Sequence, residues 1–89
     1  MFQPSYTKQF EKDIHLAKRR GKSFPKLKLI IETIVAGQSL DPIHRDHKLA
    51  GDYVGRIECH IESDWLVIYK ISGDLVIFER TGTHSDLFR

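Results

Sequence analysis

The spacing of apolar residues changes near the middle of the chain, and this change limits the folds that are available to it. In the first part, apolar residues recur every three or four positions, as one face of an α-helix requires. In the second part they alternate with polar residues or run continuously, as strands require. Because helices precede strands instead of alternating with them, the pattern predicts the α+β class. At 89 residues we expect a single domain over residues 1–89.

Two amphipathic helices are predicted in the first part. Ser5 or Thr7 can cap the first helix, and Gly21 is expected to end it. Pro25 suits the first turn of the second helix, and Gly37 is expected to stop it. The residues expected to be buried are Tyr6, Phe10, Ile14, Ala17, Leu27, Ile30, Ile31, Ile34 and Val35.

Strands are predicted after a polar connection over residues 40–52. Ile57, Cys59 and Ile61 alternate with polar residues, as in a strand with one face in solvent. Residues 65–71 are apolar at almost every position, as in a central strand that is covered on both faces. We expect Cys59 to be a small buried hydrophobic residue.

The remaining elements complete a small antiparallel sheet. Residues 72–74 predict a turn into a return strand over residues 75–78, which Gly82 interrupts. Thr83 can cap a short final helical turn, and residues 2–4 can form a short opening strand. We expect both long helices on one side of this sheet and a ligand on its other side.

Positive charge is concentrated in the helical part. Residues 1–48 carry ten Lys/Arg and five Asp/Glu, a balance of +5, whereas residues 49–89 carry four and seven, a balance of −3. The basic run consists of Lys18, Arg19, Arg20, Lys22, Lys26 and Lys28. Such a run can bind a polyanion such as a nucleic acid through electrostatic contacts that do not depend on the sequence of that nucleic acid. It is equally compatible with a solvated helical edge, so charge alone leaves nucleic-acid binding open.

The composition also bears on the compartment. A single cysteine, Cys59, excludes an intrachain disulfide and fits a reducing cytosol. Charges at Lys8, Glu11 and Lys12 interrupt any apolar stretch of a signal peptide. No apolar run approaches the roughly 20 residues that span a bilayer. We therefore expect a cytoplasmic protein that does not engage a membrane.

Three of the five histidines, His47, His60 and His84, fall in or beside the predicted sheet. Asp64 precedes the central strand, and Arg80 ends the last strand. Antiparallel neighbours end and begin at the same edge of a sheet. These five residues can therefore meet in one patch.

Such a patch suits RNA cleavage by attack of a ribose 2′-OH on the neighbouring phosphate. One histidine can accept the 2′-OH proton and another can protonate the leaving 5′-oxygen, because imidazole titrates near pH 6.5. Arg80 offers planar donors to two phosphate oxygens. Trp65, Tyr69 or Phe88 could stack an unpaired base, and Arg56 lies on the polar side of the sheet.

Each of these residues also has a simpler interpretation in which it takes no part in catalysis or RNA binding. A histidine on a polar strand face is usually just solvated. Arg80 could pair with Asp64 or Glu79 at the surface, where such contacts contribute little. Trp65 and Tyr69 could belong to the core.

A metal site is not expected. His44 and His47 have a spacing that can chelate, and His60 with Asp64 could add ligands. Without partnering cysteines or a metalloprotease helix, however, this spacing is a weak signal. We expect no metal and no other cofactor.

Three stretches resemble a known family. They are residues 46–51, residues 60–70 and residues 78–88. The most specific part is in the third stretch, where Glu-Arg-Thr-Gly-Thr-His is followed by a Leu-Phe ending. Lys12-Asp13-Ile14 and Lys26-Leu27-Lys28 in the helical part fit the same pattern. Together they resemble the YafQ branch of the RelE toxin superfamily over nearly the whole chain.

The resemblance implies a RelE-like microbial RNase fold, with two helices on a twisted antiparallel sheet, a short helical tail and RNA on the opposite face. It implies a ribosome-dependent, metal-independent endoribonuclease that cuts translated mRNA in the A site of the 30S subunit. It also implies a cognate antitoxin that covers the active face, and contact with operator DNA only through the antitoxin complex.

The resemblance also assigns roles to residues. The catalytic positions are His47, His60, Asp64, Arg80 and His84. His84 would donate a proton to the leaving oxygen, and Asp64 or His60 would be the base. His47 would orient the phosphate or share proton transfer, and Arg80 would stabilise the transition state.

RNA contacts are expected from Trp65, Phe88, Arg56 and the basic run. Two rival functions remain. ParE-like toxins share the fold and poison DNA gyrase, but they generally lack this histidine and arginine set. A catalytically silent module that binds RNA or an antitoxin would need only the basic helices.

Overall fold

A computed structural model shows an α+β fold, and it describes residues 1–44, 47–48 and 55–88, with only the backbone of His47. The strands are β1 (Gln3–Tyr6), β2 (His47–Lys48), β3 (Ile57–Glu62), β4 (Trp65–Ser72) and β5 (Leu75–Gly82). The helices are α1 (Lys8–Arg19), α2 (Phe24–Val35) and α3 (His84–Leu87), and a 3₁₀ turn lies at Pro42–His44. The predicted class and the order of its main elements are confirmed.

The first helix starts and stops where its sequence indicates. The Thr7 hydroxyl accepts a hydrogen bond from the Phe10 backbone N–H at 3.0 Å, which caps the helix. Gly21 follows its end with φ at +78°, a conformation that glycine adopts most easily. Phe10 and Ala17 are buried as predicted, but Tyr6 is 43% exposed. Of the predicted residues in α2, Leu27, Ile30 and Ile34 are the buried ones.

The sheet has the order β1-β5-β4-β3-β2, with β4 at its centre. Strands β3, β4 and β5 are joined by tight turns and are antiparallel, as predicted. β1 runs parallel to β5, so the expectation of a wholly antiparallel sheet is wrong. The reason is that no short turn joins these two strands, so their direction depends on how the intervening elements pack. β2, a two-residue strand beside β3, was not predicted.

The sheet is covered on both sides. The main core lies between the sheet and helices α1 and α2, and it includes Phe10, Leu27, Val67 and Phe78. A smaller cluster on the other side joins Leu87 of α3 to Leu66 and Ile68 of β4. We call this second side the α3 face; it carries Glu58, His60, Leu66 and Ile68.

The α3 face is less exposed to solvent than its sequence indicates. Glu58 is only 5% exposed, and the side chain of His60 is 11% exposed. The expectation of a solvated polar face on β3 is therefore wrong. These side chains are largely buried because the 3₁₀ turn at Pro42–His44 packs on β3 and Leu87 packs on β4. Within the described ranges, no helix is long and apolar enough to cross a membrane.

Candidate active site

One end of the sheet gathers several of the predicted site residues. Leu66 near the start of β4 pairs with Gly82 at the end of β5. Asp64, just before β4, and His84, just after β5, therefore emerge side by side. This juxtaposition was predicted from the antiparallel topology and is confirmed.

Asp64 and His84 form a hydrogen-bonded pair. Asp64 Oδ1 lies 2.6 Å from His84 Nδ1 and accepts the His84 backbone N–H at 2.8 Å. The backbone N–H of His84, and then its ring, hold the pKa of Asp64 below its usual value. A carboxylate with a lowered pKa is ionised at neutral pH and is a weak base. It is suited to orienting the ring of His84 so that Nε2 faces outward.

A second histidine ring stands next to this pair. The ring centroids of His60 and His84 are 5.7 Å apart, and those of His84 and Phe88 are 6.2 Å apart. Phe88 is 40% exposed, so its ring can meet a ligand. The structure thus brings together His60, Asp64, His84 and Phe88 at one rim of the α3 face.

Glu58 also belongs to this group, although the sequence analysis assigned it no role. Its Oε1 lies 3.5 Å from Nε2 of His60. Glu58 and His60 are two residues apart on β3, and side chains at that spacing project from the same face of a strand. This spacing was the signal that could have identified it. A buried acid beside an imidazole stabilises the protonated ring.

The same residues could hold a metal ion. One ligand atom from each of Glu58, His60 and His84 lies within 4.8 Å of the others, and carboxylate and imidazole are common metal ligands. The chelating pair suggested by the spacing, His44 and His47, is not this group. Nδ1 of His44 lies 2.7 Å from the backbone oxygen of His60, so His44 supports the strand that carries His60.

Arg80 is held by a residue of α1. Its Nε and Nη2 donate hydrogen bonds to the two carboxylate oxygens of Asp13, at 2.8 Å and 3.4 Å. The plainer interpretation, in which Asp64 or Glu79 would be its partner, is replaced by this pairing. Glu79 instead accepts hydrogen bonds from Arg56 at 2.7 Å and 3.3 Å.

Trp65 belongs to the core. It is 2% exposed, and its indole N–H donates a hydrogen bond to the Thr81 hydroxyl at 3.0 Å. Thr81 in turn donates to the backbone oxygen of Leu66 at 2.7 Å. The expectation that Trp65 contacts RNA is therefore wrong, because a buried indole has no free face for a base. The side chain of His47, also among the predicted site residues, lies outside the described residues.

Part of the basic run pairs with acids from the strand half of the chain. Arg20 contacts Asp86 at 2.6 Å, and Lys22 and Lys26 contact Glu62 at 3.3 Å and 3.0 Å. These contacts place the turn between α1 and α2 beside the rim that carries Asp64 and α3. They also pair part of the positive charge of the helical half with negative charge of the strand half. Arg19 and Lys28 are exposed, and the ammonium group of Lys18 lies 4.8 Å from the ring centroid of Phe24.

The helix that carries His84 is anchored by Asp86. Its carboxylate accepts the backbone N–H of Thr83, while the Thr83 hydroxyl accepts the backbone N–H of Asp86. A Cβ on Gly82 would lie 2.9 Å from Asp86 Oδ2, so a larger residue here would force the side chain of Asp86 to shift. The hydrogen bonds from Arg20, followed by that from Thr83, hold the pKa of Asp86 far below its usual value.

This lowered pKa predicts an acid-sensitive anchor. The folded-state pKa of Asp86 lies below the unfolded value of about 3.9, so the ionised carboxylate stabilises the folded state above that pH. This stabilisation is lost as the pH falls further. We expect the unfolding free energy to fall between about pH 4 and pH 2, and to fall less steeply in Asp86→Asn. Urea unfolding at several pH values measures this. Asp74→Asn, at an exposed turn position, is the control, and an equal slope in Asp86→Asn would contradict the assignment.

Comparison with known proteins identifies a family. A sequence model for YafQ, the bacterial toxin of a type II toxin–antitoxin system, matches residues 2–89. The mRNA interferase toxin YafQ of Escherichia coli K12 is 40% identical over 84 residues, which cover 93% of this chain and 91% of the relative.

Solved structures agree with this match over the full length. The YafQ chain of the E. coli DinJ–YafQ toxin–antitoxin complex superposes with a TM-score of 0.92 at 38% identity, covering 99% of this chain and 98% of that one. A metal-bound toxin from Helicobacter pylori superposes with a TM-score of 0.92 at 30% identity, covering 99% and 100%. The chain therefore belongs to the YafQ family of type II toxin–antitoxin toxins.

Proposed function

We propose that this chain is a toxin that cleaves translated mRNA on the ribosome by metal-free acid–base catalysis. The observation that carries the proposal is the pair of imidazoles of His60 and His84, one beside a buried acid and the other oriented by Asp64. The mRNA interferase activity of its E. coli relative supports the same conclusion.

The two histidines divide the proton transfers. His60 accepts the proton of the ribose 2′-OH, and Glu58, 3.5 Å away, stabilises the charged ring that results. The 2′-oxygen attacks phosphorus, and the bond from phosphorus to the 5′-oxygen breaks. His84 donates its proton to that leaving oxygen while Asp64 keeps the ring in place. The products are a 2′,3′-cyclic phosphate and a free 5′-hydroxyl, with His60 protonated and His84 neutral.

The distances fit a single phosphate. A nitrogen of His60 and a nitrogen of His84 lie within 4.8 Å of each other. Each can reach a different oxygen of one phosphodiester at a hydrogen-bond distance of about 2.9 Å. Asp64 is the poorer candidate for the base, because its pKa is lowered.

Other residues supply binding and charge stabilisation. Arg80 stabilises the negative charge that grows on the phosphate, and Phe88 stacks on a base next to the cut. The basic run and Arg56 contact ribosomal or messenger RNA. Exposed ion pairs such as Lys26 with Glu62 are weak, so RNA phosphate can replace the acid.

Regulation follows the pattern of the solved toxin–antitoxin complex. We propose that a cognate antitoxin binds this chain in the cytoplasm and covers the histidine rim. Operator DNA would be contacted only through that complex.

The activity can be tested by inducing the chain in cells and mapping mRNA 5′ ends. We expect new ends within translated frames, and none in Arg80→Ala or His84→Ala. In purified translation complexes, the same RNA should be cut when ribosome-bound and should be cut far more slowly when free. Cuts that persist undiminished in both variants would contradict the site, and gyrase-linked DNA breaks without mRNA cuts would indicate a ParE-like activity.

Metal independence has its own test. A chelator selective for transition metals is added to translation complexes while Mg²⁺ is kept at the level that ribosomes require. We expect the cleavage rate to stay within about two-fold of the untreated rate, because His60 and His84 act through their own protons. Added Zn²⁺ should inhibit, since it would occupy the nitrogens of both rings. Loss of cleavage on chelation, restored by Zn²⁺, would overturn the metal-free mechanism.

A further inference from the structure

Asp13 is a buried acid that the mechanism above does not use. Its side chain is 7% exposed, although it lies on a helix whose other acid, Glu11, is exposed. An isolated buried carboxylate is costly, so the contacts that Asp13 makes must offset its burial. Besides the two hydrogen bonds from Arg80, it accepts the Thr81 backbone N–H at 3.1 Å and the Gln9 amide at 3.0 Å.

The position of Asp13 follows from the sheet. β1 pairs with β5 over Leu75–Phe78, and among the residues that the structure describes no strand pairs with the later part of β5 on that side. Asp13 lies along that side and accepts the Thr81 N–H that a neighbouring strand would otherwise accept. It is therefore tied to the backbone on one side of Arg80 while it holds the guanidinium itself.

We propose that Asp13 is a positioning residue that fixes the guanidinium of Arg80 for the transition state, an inference that rests on the proposed function. Asp13 engages the edge of the guanidinium formed by Nε and Nη2, and this fixes the direction of the Nη1 end. An arginine side chain has several rotatable bonds, and holding it before the substrate binds removes that freedom from the catalytic step.

A merely stabilising ion pair makes a different prediction. If Asp13 serves only the fold, its loss lowers activity independently of Arg80, and the two effects multiply. If it acts through Arg80, its loss has no further effect once Arg80 is absent. A double-mutant cycle separates these cases.

The experiment measures single-turnover cleavage of ribosome-bound mRNA over a range of toxin concentrations. We expect Asp13→Asn to lower the maximal rate by about 10- to 100-fold, with the half-saturating concentration changed by less than about two-fold. Arg80→Ala should lower the rate by about 100- to 1,000-fold, and Asp13→Asn with Arg80→Ala should match Arg80→Ala within about two-fold. Glu11→Gln, an exposed acid of the same helix, is the matched control and should not change the rate.

Each contrary outcome has a definite meaning. Equal rates for Asp13→Asn and the unchanged chain would overturn the positioning role and leave the proposed function intact. The positioning role would also be overturned if the rate of the double variant showed the product of the two single losses. No cleavage by the unchanged chain would overturn the proposed function and this inference with it. Thermal unfolding confirms that the variants are folded; if Asp13→Asn is not, Asp13→Glu, which keeps the charge but shifts the carboxylate, enters the same cycle.

Discussion

Replacing His84 with glutamine is expected to lower the rate of mRNA cleavage on ribosomes by about 100- to 10,000-fold, the range typical for loss of a general acid. Glutamine places an amide near the position of the outer ring nitrogen Nε2, and the backbone N–H of residue 84 can still donate to Asp64. It is also compatible with the short helix α3. It cannot transfer a proton to the leaving 5′-oxygen. The variant therefore separates proton transfer from the position of the side chain.

Stability should change little in this variant. The side chain of His84 is 52% exposed, and substitutions at such positions usually alter the unfolding free energy by no more than about 0.5 kcal/mol. His15→Gln, at an exposed position of α1, is the matched control and should cleave at the unchanged rate. A rate for His84→Gln within a few-fold of that control would show that another group protonates the leaving oxygen.

Phe10→Ala is expected to lower the unfolding free energy by about 3 to 5 kcal/mol, the usual loss for a phenylalanine deleted from a core. Phe10 is fully buried, and its ring centroid lies 5.9 Å from that of Tyr6 and 5.7 Å from that of Phe78. It joins α1 to β1 and β5. Small domains are stable by only about 5 to 15 kcal/mol, so much of the stability would be lost.

Thermal unfolding followed by circular dichroism measures this effect. We expect the Tm of Phe10→Ala to fall by more than about 10 °C, since 1 kcal/mol corresponds to roughly 4 to 8 °C in a domain of this size. Leu29→Ala on α2 is the control, because Leu29 is 63% exposed and its truncation leaves no cavity. A similar loss in both variants would show that α1 does not depend on this aromatic cluster.

Features that depend on neighbouring residues were predictable from the sequence. The apolar spacing predicted α1, α2 and the central strand, because these patterns follow from backbone geometry over a few residues. The cap at Thr83 is local in the same sense. The meeting of Asp64 with His84 was also predictable, because the start of β4 and the end of β5 lie at the same edge of the sheet when the two strands are antiparallel neighbours.

The family pattern supplied roles that spacing alone could not. It assigned functions to His60, Arg80 and His84, and the structure now shows which residues support them. It also assigned RNA contact to Trp65, whose indole is instead buried against Thr81. Sequence patterns do not distinguish an aromatic residue in a core from one on a surface when both faces of its strand are apolar.

The amino-acid sequence by itself determined the two long helices, the antiparallel arrangement of β3, β4 and β5, and the end of the sheet where Asp64 meets His84. Only the tertiary structure decided that β1 runs parallel to β5, that Glu58 is buried beside His60, and that Asp13 holds Arg80. Each of these depends on which distant segments pack together. A local pattern specifies the face on which a side chain lies, whereas its partner and its burial depend on what the rest of the chain places on that face.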